Sequence, residues 1–305
     1  MAKAILTTKI DSAYDDLPEE RYHFPRTYLR QVQAALNDWI IYYEPRRVSA
    51  DLSSRGGRQA YFATARISRI AADPLTPDHF YAYVSDYLEF DRAVPFREGS
   101  SYYESQLRRD DGETSKGAFG RAVRPISDSE YDLIVHAGFV RTLRDVETPA
   151  ATRGRQVVSS EMAEDPQAPF ERPIVERLVA RPFREAAFAT SVKSAYSETC
   201  AMTGLRIING GGRAEVQAAH IRPVSDGGSD SIRNGLALSG TAHWMFDRGL
   251  LSIADDYTIL AAEKQLPREA IRLIRPNRKL IFPERLDARP HPAHLRYHRE
   301  RVFKG

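Results

Sequence analysis

The chain has 305 residues, 42% of them hydrophobic and 28% charged, which leaves room for two domains of ordinary soluble, globular composition. No apolar run approaches the length that spans a bilayer, and the opening MAKAILTTKIDSAYDD lacks the apolar core of a signal peptide. One cysteine, Cys200, excludes an internal disulfide, so a reducing, cytoplasmic setting is expected.

In chain order, residues 1–21 read as a polar lead-in. RTYLRQVQAALND at 26–38 has helical spacing, with Tyr28, Val32, Ala35 and Leu36 on one side. WIIYYEP at 39–45 reads as a strand stopped by Pro45. A polar loop at 46–59 follows, then a strand at 60–70, a turn at 73–78 and a strand at 80–88. On that last strand Phe80, Ala82, Val84 and Leu88 form one face. Tyr81, Tyr83 and Tyr87 form the other, a row of phenols able to stack a base or to pack against a helix. Residues 22–103 hold sixteen of the thirty aromatics. The segment 99–125 is polar and in places basic, with Arg108, Arg109, Lys116, Arg121 and Arg124 as candidate phosphate contacts. Ser129–Phe139 reads as a short helix ending at Gly138. Residues 1–145 are thus expected to form a small α+β domain.

Residues 146–173 have the composition of a linker, and a helix is expected from about Pro182 to Tyr196. The stretch EVQAAHIRPVSDGGSDSIRNGLALSGTAHWMFDRGL at 215–250 carries the chemistry. His220 lies in an apolar run that reads as a strand, Ser225–Asp230 is a turn, and His243 and Asp247 are four apart on a helix. Hydrolysis of a phosphodiester needs a base to deprotonate water and a cation to neutralise developing charge. His220 suits the first task, because an imidazole titrates near neutral pH. His243 and Asp247, one turn apart, make a chelating N/O pair for a divalent cation. Asn234 cannot titrate, so its amide is assigned an orienting role.

After this stretch, LLSIADDYTIL reads as a hairpin, 271–283 as a short strand pair around Pro276-Asn277, and HPAHLRYHRERVFKG as a basic helix. Net charge is +3, but residues 268–305 carry eleven Lys/Arg against four Asp/Glu. That is +7 for the segment and −4 for the remainder, so it reads as a phosphate-contacting or a solvated surface. Arg296, Arg299 and Arg301 are the candidate contacts. His294 and His298 have ligand spacing but no evident third ligand.

Two resemblances follow. AAHIRP, RNGLAL and HWMFDRG resemble the three segments of the HNH motif of the ββα-metal nuclease superfamily. The resemblance implies His220, Asn234 and His243 as catalytic residues and His243 and Asp247 as metal ligands. The chain departs from many relatives in having Ala219 before the base. The metal implied is Mg²⁺, with Mn²⁺, Co²⁺ or Ni²⁺ as alternatives; no structural zinc is expected. Separately, WIIYYEPRR, YFATARI and DPLTPDHFYAYVSDYLEFDRAVPF resemble PUA-like modules such as SRA, EVE and YTH domains. That resemblance implies a β-barrel-type domain reading a modified or flipped base, with Trp39, Tyr42, Tyr43, Tyr61, Tyr81 and Tyr83 as pocket candidates. The expected organisation is a PUA-like reader at 1–145, a linker at 146–173 and an HNH domain with its basic segment at 174–305. The pairing resembles modification-dependent, type IV-like restriction endonucleases. It implies cleavage of double-stranded DNA carrying 5-methylcytosine or 5-hydroxymethylcytosine, by a homodimer if both strands are cut. A reader with a vestigial centre and an HNH nuclease indifferent to modification are the alternatives.

Overall fold

A computed structural model describes residues 2–8, 14–45, 57–147 and 174–305. The fold is mixed α+β and divides into two units, 1–86 with 90–187 and 87–89 with 188–305. Of the expected linker, 148–173 lie outside the described residues, as do 46–56 of the polar loop. No helix among the described residues is long and apolar enough to cross a membrane.

The first unit is built on a curled sheet. Its strands are β1 (Lys3–Thr7), β2 (Arg21–Pro25), β3 (Trp39–Glu44), β4 (Ala60–Ala72), β5 (His79–Pro95) and one that follows below. Short α1 (Leu29–Ala34) precedes β3 and buries Val32, with Ala35 buried just beyond its end. Beyond β5, a two-residue pair, β6 (Arg97–Glu98) and β7 (Ser101–Tyr102), leads to α2 (Lys116–Phe119) and β8 (Val123–Ile126). The six-stranded order is β2-β5-β4-β3-β1-β8. The N-terminal segment is therefore not a polar lead-in throughout. Ala4, Ile5 and Leu6 are buried where β1 pairs parallel to β3 and antiparallel to β8. Three consecutive buried residues have no period-2 signature, so pattern reading passes over them.

Helix α3 (Asp128–Gly138) is started by a capping box. Ser127 Oγ accepts from the Glu130 amide, and the Glu130 carboxylate accepts from the Ser127 amide. Its end needs glycine, because a Cβ on Gly138 would come within 2.5 Å of the Phe90 ring. Two further helices follow in this unit, α4 (Val140–Glu147) and α5 (Ile174–Val179).

The alternation expected along β5 holds only in part. Asp86 adopts φ +54°, a left-handed conformation that breaks the period of two. Tyr81 and Tyr83 stay half-buried, while Tyr87 and Leu88 are both buried.

Helix α6 (Arg181–Ala195) carries Phe188 and Val192 into the core of the second unit. There β9 (Gln217–His220) pairs antiparallel with β10 (Gly235–Leu238), and α7 (Gly240–Asp247) packs on the hairpin. Ala219, Leu236 and Leu238 bury against Met245 and Phe246 of α7. Each large apolar side chain so buried contributes about 1.5–3 kcal/mol. The hairpin β11 (Leu251–Ile253) and β12 (Ile259–Ala261) follows as expected. Residues 271–283 do not form a strand pair. They follow α8 (Arg268–Ile271) and make a single bridge, Thr258 to Lys279. The chain closes on α9 (Pro292–Arg301).

Candidate active site

The site is assembled on the β9–β10 hairpin and α7. The connection from Ile221 to Asn234 folds back on itself, and Asn234 holds it there. The Asn234 amide donates to the carbonyls of Arg222 and Ser229, both at 2.9 Å, and its oxygen accepts from the Arg222 amide at 2.9 Å. The residue is fully buried, so losing these bonds would strand polar groups away from water. Close approach also explains a glycine: a Cβ on Gly228 would meet the Arg222 carbonyl oxygen at 2.0 Å and the Asn234 amide at 2.8 Å. Asn234 therefore positions the loop; its side-chain hydrogen bonds go to Arg222 and Ser229, and that of His220 to Asp230.

His220, at the end of β9, is gripped from two directions. Its ring stacks on Phe188 with centroids 3.8 Å apart and planes 8° from parallel. Its Nε2 lies 3.0 Å from Asp230 Oδ1. An ionised carboxylate only accepts, so the proton is assigned to Nε2 and Nδ1 keeps its lone pair. In the sequence Asp230 is only the last residue of a turn and Phe188 carries no signal; each meets His220 only through the tertiary fold.

His243 and Asp247 come together as helical spacing predicts, with Nε2 3.3 Å from Oδ2. The Nδ1 of His243 lies 2.8 Å from the side-chain oxygen of Gln217. With a cation bound, Nδ1 would donate to Gln217 and Nε2 would turn its lone pair to the metal beside Asp247. The imidazole nitrogen and half-exposed carboxylate suit a divalent cation that fills its remaining positions with water and phosphate oxygens. Ala219 is buried and contributes no donor. Among the described residues no cluster of three or more His, Cys, Asp or Glu forms a fuller ligand set. Nor does any hydrogen bond or ion pair among them join His220 to the His243–Asp247 pair. Cys200 is a buried thiol in the same core, with Sγ 3.7 Å from Ser239 Oγ.

Helix α9 braces this region. Tyr297 donates to Asp226 Oδ2 at 2.7 Å, and the Arg222 guanidinium lies over the Tyr297 ring at 4.9 Å. His294 and His298 point inward, and burial pushes each imidazole down to about 4. Both ring nitrogens of His298 are committed: Nε2 donates to the Phe246 carbonyl and Nδ1 takes the Ser252 hydroxyl. Arg299 is committed to the Ile253 carbonyl and Asp255, whereas Arg296 and Arg301 are exposed.

In the first unit the candidates separate. Arg121 is exposed. Arg124 is fully buried and cannot reach a phosphate; its guanidinium donates to both Glu104 oxygens, at 2.7 and 2.8 Å. Tyr61 donates to the same carboxylate at 2.7 Å, and burial followed by that negative neighbour pushes its phenol pKa up. Trp39, Tyr42, Tyr43 and Tyr61 are all buried in or beside the sheet. Of the six candidates, Tyr81 and Tyr83 are the two that are half-buried, with Tyr81 stacked on His23 at 4.6 Å and Arg69 over Tyr83 at 3.8 Å.

Residues 200–254 match the HNH endonuclease family. A search of curated proteins finds no match. Among solved structures, the chain is similar to the modification-dependent TagI restriction endonuclease. Identity is 18% and TM-score 0.31, over 97% of this chain and 81% of that one. It is also similar to the type IV phosphorothioation-dependent restriction endonuclease ScoMcrA. Identity there is 15% and TM-score 0.19, over 97% of this chain and 52% of that one.

Proposed function

We propose that the chain is a modification-dependent DNA endonuclease. In this reading its HNH centre hydrolyses phosphodiester bonds, and its first unit, a PUA-like module over about 1–145, reads 5-methylcytosine or 5-hydroxymethylcytosine. The observation that carries the nuclease reading is the His220–Asp230 and His243–Asp247 pairs on one hairpin-and-helix unit, within the segment that matches HNH endonucleases. In the proposed reaction Nδ1 of His220 takes the proton from a water as that water attacks phosphorus, and the bond to the leaving oxygen breaks. Asp230 holds the ring and stabilises the imidazolium that results. His243 and Asp247 would hold a divalent metal, Mg²⁺ by abundance, which when bound neutralises charge on the phosphate and leaving oxygen. One such centre cuts one strand, so a homodimer is the proposed form for double-strand cleavage.

The test compares nicking of one supercoiled plasmid, with and without cytosine methylation, by wild type and His220→Ala in Mg²⁺. Cutting confined to methylated plasmid and absent from His220→Ala is the expected result. Equal cutting by both proteins would remove the base assignment. Equal cutting of both plasmids would favour the second reading, an HNH nuclease indifferent to modification. That reading has one observation behind it: four of the six aromatic pocket candidates are buried.

A further inference from the structure

Trp244 is out of place for a core residue. It lies on α7 between His243 and Met245, yet 58% of its surface is exposed. It has no aromatic or cationic partner among the described residues. An exposed indole beside a polar centre is the kind of apolar surface that marks an interaction site. At about 100° per residue, the exposed arc of α7 runs from His243 through Asp247, about 40° round, to Trp244, about 100° round, and Arg248, about 140° round. Arg248 is exposed, and its guanidinium has no hydrogen-bond or ion-pair partner among the described residues. The arc therefore carries, side by side, a cation-holding pair, a flat apolar ring and an uncommitted positive charge.

We infer that Trp244 and Arg248 form the DNA-docking edge of α7. The indole packs on a base or deoxyribose next to the phosphate that is cut, and Arg248 meets a flanking phosphate. This rests on the nuclease reading above and adds to it the surface that engages the strand. Two features favour a nucleic-acid strand over a second copy of the chain: continuity with the phosphate-cutting centre, and the positive charge at the far end of the arc. Residues three apart on a helix have Cβ atoms about 5–6 Å apart. With about 3.4 Å of rise per nucleotide, Trp244 falls within one or two nucleotides of a phosphate at Asp247. Stacking of this kind is sequence-tolerant, so the contact serves positioning and not base choice.

The chain has two tryptophans, and the other, Trp39, is buried. This makes fluorescence a direct readout. The His220→Ala protein, which lacks the base, and its Trp244→Phe derivative are titrated with a methylated duplex. Saturable quenching that is lost in Trp244→Phe is the expected result. Trp244→Ala should weaken DNA binding about tenfold, equivalent to about 1.4 kcal/mol, with Trp244→Phe retaining most of the affinity. Arg248→Ala should lower the salt dependence of binding by about one charge. Emission unchanged while DNA saturates, with Trp244→Ala binding like the parent, would overturn the inference and leave the nuclease reading intact. A change in emission with protein concentration alone, with Trp244→Ala sedimenting as a smaller species, would assign the surface to a second copy and overturn it too. If wild type neither binds nor cuts DNA, the underlying nuclease reading fails first.

Discussion

His298 offers a direct test of how α9 is held in the second unit. Its ring stacks on Phe246 at 3.7 Å, Nε2 donates to the Phe246 carbonyl, and Nδ1 meets Ser252. Burial takes its pKa from 6.5 down to about 4 on folding, only partly opposed by the Phe246 carbonyl. The folded state thus sheds a proton that the unfolded chain keeps below about pH 6.5. Stability from this group is whole above that pH and is lost as pH falls toward 4. The shift corresponds to about 3 kcal/mol. His298→Phe keeps the stack and removes the titration. It leaves Ser252 and the Phe246 carbonyl without the ring, at a cost of about 1–3 kcal/mol near neutral pH. Urea unfolding followed by circular dichroism, at steps from about pH 7.5 to about pH 4, measures both proteins, and titrations common to them cancel in the difference. The penalty should shrink by up to about 1.4 kcal/mol per pH unit below pH 6.5 and vanish or reverse near pH 4. Parallel stability curves across that window would refute the claim that a buried neutral imidazole anchors the helix.

Asp230→Asn keeps size but removes the negative charge that would hold the ring of His220 and stabilise its imidazolium. Plasmid nicking should fall about 10²–10⁴-fold with DNA affinity unchanged, and nicking within twofold of wild type would remove Asp230 from the mechanism. Asp247→Ala should lower metal-dependent nicking; recovery at high Mg²⁺ supports a ligand role, and wild-type activity at low Mg²⁺ contradicts it. Substituting Tyr81 and Tyr83 together by Ala should erase any preference for methylated over unmethylated duplex in a competition assay. A preference that survives would move base reading to another surface.

Much of this molecule is written in local pattern. The strands from Trp39 and Ala60, the helix at α7, the hairpin after Leu251 and the basic closing helix all carry periodicity or turn residues that act over a few positions. The order His220, Asn234, His243, Asp247 is equally local, because a strand, a glycine-rich turn and one helical turn suffice to set it out. Strand β1 escaped that reading because its burial comes from neighbours at 40–43 and 123–126, which no short window contains.

Only the tertiary structure decided which groups meet. Phe188 reaches His220 from a helix more than thirty residues upstream, and Asp230 reaches it because Asn234 and Gly228 fold the loop back. Gln217 finds His243 only once α7 lies on β9. The same logic moved Arg124 from presumed phosphate contact to buried partner of Glu104, and withdrew four aromatics into the sheet. Residue type sets what a side chain can do. Its partner, its burial and hence its charge state depend on contacts between segments far apart in the chain, and composition or period does not encode those one segment at a time.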